Sequence, residues 1–244
     1  MIFFVGLHQP SDCKHFKNSF VSVNRLWKRK SAFEVKNWVL DSGAFSQIFK
    51  YGGFEKSEID YANEILRWKD NGNLLAAVSQ DYLCEPEILD KTGMSVFEHQ
   101  QKTLERYLRI KSLVNEKVYI MPVLQGYMPK EYLNHLEMYG NLLKKNQWVG
   151  VGSLVKRSNS PQMVWWIISE IKKKRPDLKI HGFGLKFSSL NYKPLKNLLY
   201  SSDSMAWSFA ARKSGENPND WREARKFEEK INQEKIIEKF FWKN

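Results

Sequence analysis

Aspartates, a glutamine and paired glycines recur in this sequence where short apolar runs stop. Asp41-Ser42-Gly43-Ala44-Phe45 follows Trp38–Leu40, Ser79-Gln80-Asp81 follows Leu75–Val78, and Gln125-Gly126 follows Val118–Leu124. Further along come Gly150-Val151-Gly152-Ser153, His181-Gly182-Phe183-Gly184 and Asp203. A pair of carboxylates facing one substrate suits displacement at a sugar carbon, one acting as nucleophile while the other moves protons. Glycines beside them let a ligand approach the backbone closely. Each residue also has a plainer reading: Asp41-Ser42-Gly43 as a strand-ending turn, Asp81 and Asp203 as helix N-caps, Gln125-Gly126 as a loop start. Taken singly, the plainer reading is the better one. Their recurrence at successive strand ends is what favours chemistry.

Residues at strand ends need strands to position them, and eight are expected: Ile2–Val5, Phe20–Val23, Trp38–Leu40, Leu75–Val78, Val118–Leu124, Trp148–Val151, Lys179–Phe183 and Ser201–Met205. The last is poorly apolar and is assigned largely from the count and the motif it carries. Amphipathic helical patterns alternate with these runs, the signature of βα units and a parallel sheet. Ser57-Glu58-Ile59-Asp60 reads as a capping box, with Ile59, Ala62, Ile65 and Leu66 on one face. Val96–Val114 reads as a long helix, Ser160-Pro161 as an N-cap and first helical position, and Asn219–Phe241 as a final helix. Residues 1–244 are therefore expected to form one compact (β/α)8 TIM barrel with a C-terminal helix over about 217–241. Such a barrel gathers every strand's C-terminal end around one mouth, where its active sites lie.

Composition narrows the partners. Of 244 residues, 42% are hydrophobic and 14% aromatic, enough for a large core. The formal net charge is +12, which suits a polyanionic partner but is equally compatible with a solvated basic surface. Lys172–Arg175 falls at the opposite end of the barrel and reads as solvated surface. Two cysteines, Cys13 and Cys84, cannot build a disulfide framework or a Cys-rich zinc site. No signal peptide or membrane-spanning run is evident, so a cytoplasmic protein away from membranes is expected.

The motifs, in this order, resemble those of tRNA-guanine transglycosylases. Asp41-Ser42-Gly43-Ala44-Phe45 resembles their DSGGF motif, and Pro122-Val123-Leu124-Gln125-Gly126 their IVQGG strand. Gly150-Val151-Gly152 resembles their glycine-rich guanine loop, His181-Gly182-Phe183-Gly184 their MGVG segment, and Asp203 falls at the nucleophile's position. The resemblance spans roughly residues 1 to 212. The family's Cys3His zinc subdomain is missing, and its Pro-Thr-Arg after the nucleophile is replaced by Ser204–Arg212. Leu40–Gly43, Ser202–Trp207 and Glu98-His99-Gln100 look more like the branch that inserts 7-deazaguanines into DNA, the DpdA-type transglycosylases.

By this resemblance, Asp203 is the nucleophile and Asp41 the general acid/base. Asp81 accepts from the guanine N1–H and 2-amino group. Gln125 meets the O6 side together with a backbone N–H of Gly150 or Gly152. Ser42 belongs to the base-binding set, and Phe45 and His181 sandwich the base; a core role for Phe45 and a strand-end role for His181 are the plainer alternatives. Lys156, Arg157, Lys186, Arg212 and Lys213 follow strand ends where phosphates would pass. His8 is left without a role. The implied partners are DNA, or alternatively tRNA, a 7-deazaguanine base such as preQ0, and partner proteins of a modification system. No cofactor and no structural metal are expected. Competing readings are a zinc-free tRNA enzyme, an N-glycoside hydrolase on the same barrel, and a non-catalytic base-binding barrel.

Overall fold

The structure is a computed structural model that describes the backbone of residues 1–241 and side chains through residue 232. Among the described residues a single sheet has nine strands: β1 (Ile2–Gly6), β2 (Asn18–Ser22), β3 (Asn37–Asp41), β4 (Asn73–Val78), β5 (Ile120–Met121), β6 (Val123–Leu124), β7 (Trp148–Val151), β8 (Lys179–Gly182) and β9 (Ser201–Ser204). Every pairing is parallel, in the order β5-β4-β3-β2-β1-β9-β8-β7-β6. The expected strand Val118–Leu124 is thus two short pieces, β5 pairing with β4 and β6 with β7. Pro122 between them has no N–H to donate and interrupts the ladder. Its carbonyl still accepts from Gly150 N at 2.9 Å. The nine strands therefore form a nearly closed barrel of the expected TIM type, with eight staves and one broken.

Alternation along the strands separates two cores. Phe4, Phe20, Val39, Ala76, Val78, Met121 and Val123 form one cluster, with Phe183 and Trp148 packed on it; this is the barrel interior. Residues of opposite parity, such as Val5, Val21, Trp38, Leu40, Val149 and Ile180, face the helices in the larger cluster. Asp41, Gln125, Gly152, His181 and Asp203 share the parity of the interior set.

The helices are α1 (Ala44–Tyr51), α2 (Glu58–Trp68), α3 (Pro86–Thr92), α4 (Val96–Val114), α5 (Pro129–Tyr139), α6 (Pro161–Lys174), α7 (Phe187–Leu190), α8 (Lys193–Lys196), α9 (Ala206–Lys213) and α10 (Trp221–Phe241). The Ser57–Asp60 capping box is present. Of the expected face of α2, Ala62 and Ile65 are buried, together with Tyr61, Glu64 and Trp68, whereas Ile59 is 50% exposed. Ser160 makes no side-chain cap, although Pro161 does open α6. β1 and β2 are followed by short 3-10 turns (Pro10–His15 and Val23–Arg25) rather than α-helices. α10 instead covers β1 from outside, with Phe227 against Phe3 and Trp221 stacked on His15 at 3.7 Å. It starts at Trp221, after the Asn217–Asp220 turn, not at Asn219.

Candidate active site

Asp203 sits on β9, beside Phe4 of β1 in register, and is 6% exposed. Its Oδ1 accepts from Gly184 N at 2.9 Å and contacts His181 Nε2 at 3.2 Å. Neither bond involves Oδ2. His181, fully buried on β8, also contacts Ser201 Oγ at 2.9 Å through Nδ1.

Asp41 ends β3. The chain then turns through Gly43 at φ 72°, where a side chain would be strained and its Cβ would come 2.2 Å from Asn24 Nδ2. That explains the glycine of the Asp-Ser-Gly motif, and it aims Gly43 N at Asp41 Oδ2, 3.0 Å away. Asp41 keeps part of its surface open while protein atoms crowd its carboxyl. Burial first, and the charge of Asp203 second, push its pKa up to about 6 against hydrogen bonds from Gly43, Ser22 and Ser42. Asp41 and Asp203 are therefore close enough for their charges to couple.

Asp81 follows β4 and is 7% exposed. Burial pushes its pKa up to about 7; the amide of Gln125 opposes this and the charge of Asp41 adds to it. Gln125 Nε2 donates to Asp81 Oδ2, and Ser42 Oγ lies 3.5 Å from Oδ1. Gln125 Oε1 accepts from Ser153 Oγ at 2.7 Å, which fixes the amide with its NH2 toward Asp81. Ser153 also accepts from Cys84 N and meets Glu85 Oε2, both at 2.8 Å. Burial raises the Glu85 pKa, and the hydrogen bond from Ser153 opposes this. Its other oxygen is buried without a partner among the described residues.

The Glu98-His99-Gln100 segment of α4 braces these loops. Gln100 Nε2 donates to Gln125 O at 2.7 Å, and His99 Nδ1 donates to Leu83 O. Thr103 Oγ1 accepts from Tyr82 N at 2.9 Å.

Several sequence-level assignments need correction in geometry. Gly150 N donates to Pro122 O and Gly152 N to Leu124 O, at 2.9 and 3.0 Å. Both N–H groups belong to the barrel ladder, so neither is free for a base. What these glycines supply is room: a Cβ on Gly150 would meet Phe183 at 2.3 Å, and one on Gly152 would meet Gln125 Nε2 at 2.2 Å. Phe45 and His181 do not form a sandwich. Phe45 is 48% exposed on α1 and stacks on Phe49 at 5.9 Å. His181 lies within the barrel, stacked on Phe20 at 5.6 Å.

The basic residues are dispersed. Lys156 pairs with Glu87, Arg157 lies 3.6 Å over the Tyr127 ring, Lys186 donates to Asn159 at 2.9 Å, and Lys213 lies 5.1 Å over Phe209. Arg212 joins an unforeseen group. His8 Nε2 contacts Ser208 Oγ at 2.8 Å, Arg25 Nη2 approaches His8 Nδ1 at 3.5 Å, and burial followed by the charges of Arg25 and Arg212 lowers the His8 pKa.

Glu85, Ser153, Ser201, Trp148 and Arg25 escaped the sequence reading. Only Ser153, in the Gly-Val-Gly-Ser run, carried a local signal. Among the described residues no cluster of three or more His, Cys, Asp or Glu could hold a metal. No helix there is long and apolar enough to cross a membrane. Cys13 and Cys84 are free and buried, and burial pushes both thiols well up.

No curated protein sequence matches the chain. A family model described as DeoxyPurine in DNA protein A matches residues 1–224, a span that takes in all three aspartates and every stave of the barrel; the chain belongs to the DpdA family.

Proposed function

We propose that this protein is a base-exchange transglycosylase that replaces guanine in DNA with a 7-deazaguanine through a covalent sugar–aspartate intermediate. The observation that carries the mechanism is the pairing of two unlike carboxyls at one mouth. Asp203 has one oxygen held by two donors and the other without a partner among the described residues. Asp41, coupled to it, titrates at about 6, within reach of a general acid/base working near neutral pH. Membership of a family named for deoxypurines in DNA supports the substrate class.

The target nucleotide is flipped out of its stack into the mouth. Asp203 then attacks C1′. The C1′–N9 bond breaks, its electron pair leaves with guanine, and Asp41 protonates the departing base. The incoming 7-deazaguanine gives its N9 proton to Asp41 and attacks C1′, releasing Asp203 as a carboxylate. Asp81 accepts from N1–H and the 2-amino group, and Gln125, locked by Ser153, offers its remaining amide N–H to O6. Gly152 supports recognition by giving the Gln125 amide room. Arg25, Arg212, Lys186 and Lys213 suit the flanking phosphates; Lys156, already paired with Glu87, and Arg157, over Tyr127, suit loop support better.

The test is incorporation of a labelled 7-deazaguanine into DNA and tRNA offered side by side, read by nucleoside mass spectrometry. Label in deoxynucleosides is the expected result. Label in tRNA alone would move the protein to the tRNA branch, and base release without incorporation would make it a hydrolase.

A further inference from the structure

Four side chains on three neighbouring strands form a hydrogen-bonded chain that runs across the inside of the barrel to Asp203. Trp148 of β7 places Nε1 2.7 Å from Ser201 Oγ on β9. Ser201 Oγ lies 2.9 Å from Nδ1 of His181 on β8, its partner in strand register. His181 Nε2 lies 3.2 Å from Asp203 Oδ1. Ser201 and His181 are fully buried.

Proton counting sets every direction in this chain. An indole N–H only donates, so Ser201 Oγ accepts from Trp148. The single serine proton is then free to point at His181 Nδ1. That nitrogen must accept it, the ring proton must sit on Nε2, and Nε2 must donate to Asp203. With a proton on Nδ1 instead, Ser201 would accept twice, and its own hydroxyl proton would find no acceptor among the described residues. A buried hydroxyl left without an acceptor is destabilising, because its desolvation goes uncompensated. The imidazole lies flat on Phe20 and edge-on to Phe183 at 4.6 Å, which holds its plane in place.

We propose that Trp148 and Ser201 are positioning residues that hold His181 as its neutral Nε2–H tautomer, and that His181 with Gly184 N occupies Oδ1 of Asp203, making Oδ2 the oxygen that bonds to the sugar. The second half rests on the transglycosylase reading above. In that step an Oδ2 lone pair forms the bond to C1′ as C1′–N9 breaks; the electron pair leaves with the base, which Asp41 protonates. Oδ1 becomes the ester carbonyl and keeps both donors. The same donors stabilise the carboxylate when the second base displaces it. His181 itself moves no proton, because both of its nitrogens are engaged.

The first test needs no substrate. The whole chain, labelled with 15N-histidine, contains five histidines, and His181 is identified by the signals lost in His181→Gln. The expected spectrum at neutral pH has a pyridine-type Nδ1 and a protonated Nε2. Trp148→Phe frees Ser201 to accept from Nδ1–H, so the tautomers should mix. A wild-type His181 protonated on Nδ1, or on both nitrogens, overturns the proposal, as does a Trp148→Phe spectrum identical to wild type.

The second test traps the sugar–enzyme adduct on single-stranded DNA. His181→Phe keeps the ring volume but leaves Oδ1 without its side-chain donor, so adduct formation should fall roughly 10²-fold with base affinity unchanged. His181→Gln, whose amide N–H can replace Nε2–H, should stay within about tenfold of wild type. Equal adduct rates in His181→Phe and wild type overturn the positioning role. If wild type forms no adduct at all, the transglycosylase reading fails, and the spectra still decide the tautomer.

Discussion

Replacing Asp81 with asparagine should make this protein more stable, by an amount that grows with pH. In the folded chain Asp81 titrates at about 7 instead of its ordinary 3.8. A carboxyl whose pKa is raised by folding binds more protons in the native state than in the unfolded one, so stability falls as pH rises between the two values. The loss begins near pH 4, is complete near pH 7 and stays constant above. At 1.36 kcal/mol per unit the whole effect is on the order of 4 kcal/mol. The asparagine side chain would keep an acceptor for Gln125 and carry no charge to be desolvated. For a chain of this size 1 kcal/mol moves Tm by about 2–4 °C. Thermal unfolding of Asp81→Asn should therefore show a Tm several degrees above wild type at pH 8 and nearly equal to it at pH 4. Base recognition should weaken, because one acceptor facing N1–H and the 2-amino group becomes a donor. Parallel pH profiles for the two proteins, or a variant less stable than wild type at pH 8, would refute the reasoning that burial rather than a bound proton partner dominates Asp81.

Gly152→Ala should leave the fold intact but push the Gln125 amide away from Asp81, since the new Cβ would stand 2.2 Å from Nε2; KM for the base should rise at least roughly tenfold with a smaller change in kcat. Asp203→Ala should abolish both exchange and adduct, whereas Asp41→Asn should slow exchange by about 10²–10⁴-fold and leave traces of adduct, measured by labelled-base incorporation and denaturing gels. DNA binding should weaken roughly 10²-fold between about 50 and 200 mM salt if four basic residues meet phosphates, with Arg25→Ala and Arg212→Ala each flattening the dependence; a salt-insensitive affinity would exclude a phosphate role for that group.

Much of the barrel is legible in the sequence because its signals are local. The apolar runs that become β1, β3, β4 and β7, the Ser57–Asp60 capping box and the span of α4 depend on neighbours within a few residues. The three aspartates are legible for the same reason: Asp41 ends a strand, Asp81 follows one and Asp203 lies next to the last residue of one, and a parallel barrel collects such ends at one mouth. The proline that splits β5 from β6 is also plain to see, but its consequence depends on β4 and β7 being the flanking staves. What the tertiary structure alone decides is which atoms those residues use. Both the Gly150 and Gly152 N–H groups look free until β6 lies beside β7 and takes them. His181 looks like a face for a base until the barrel closes over it with Phe20 and Phe183. The direction of its proton is set by Trp148 and by Ser201, remote in the chain yet brought into contact by strand register. Residue type can be read from spacing, but tautomer, ionisation and the choice of attacking oxygen depend on desolvation and hydrogen-bond partners, which exist only when distant strands pack together.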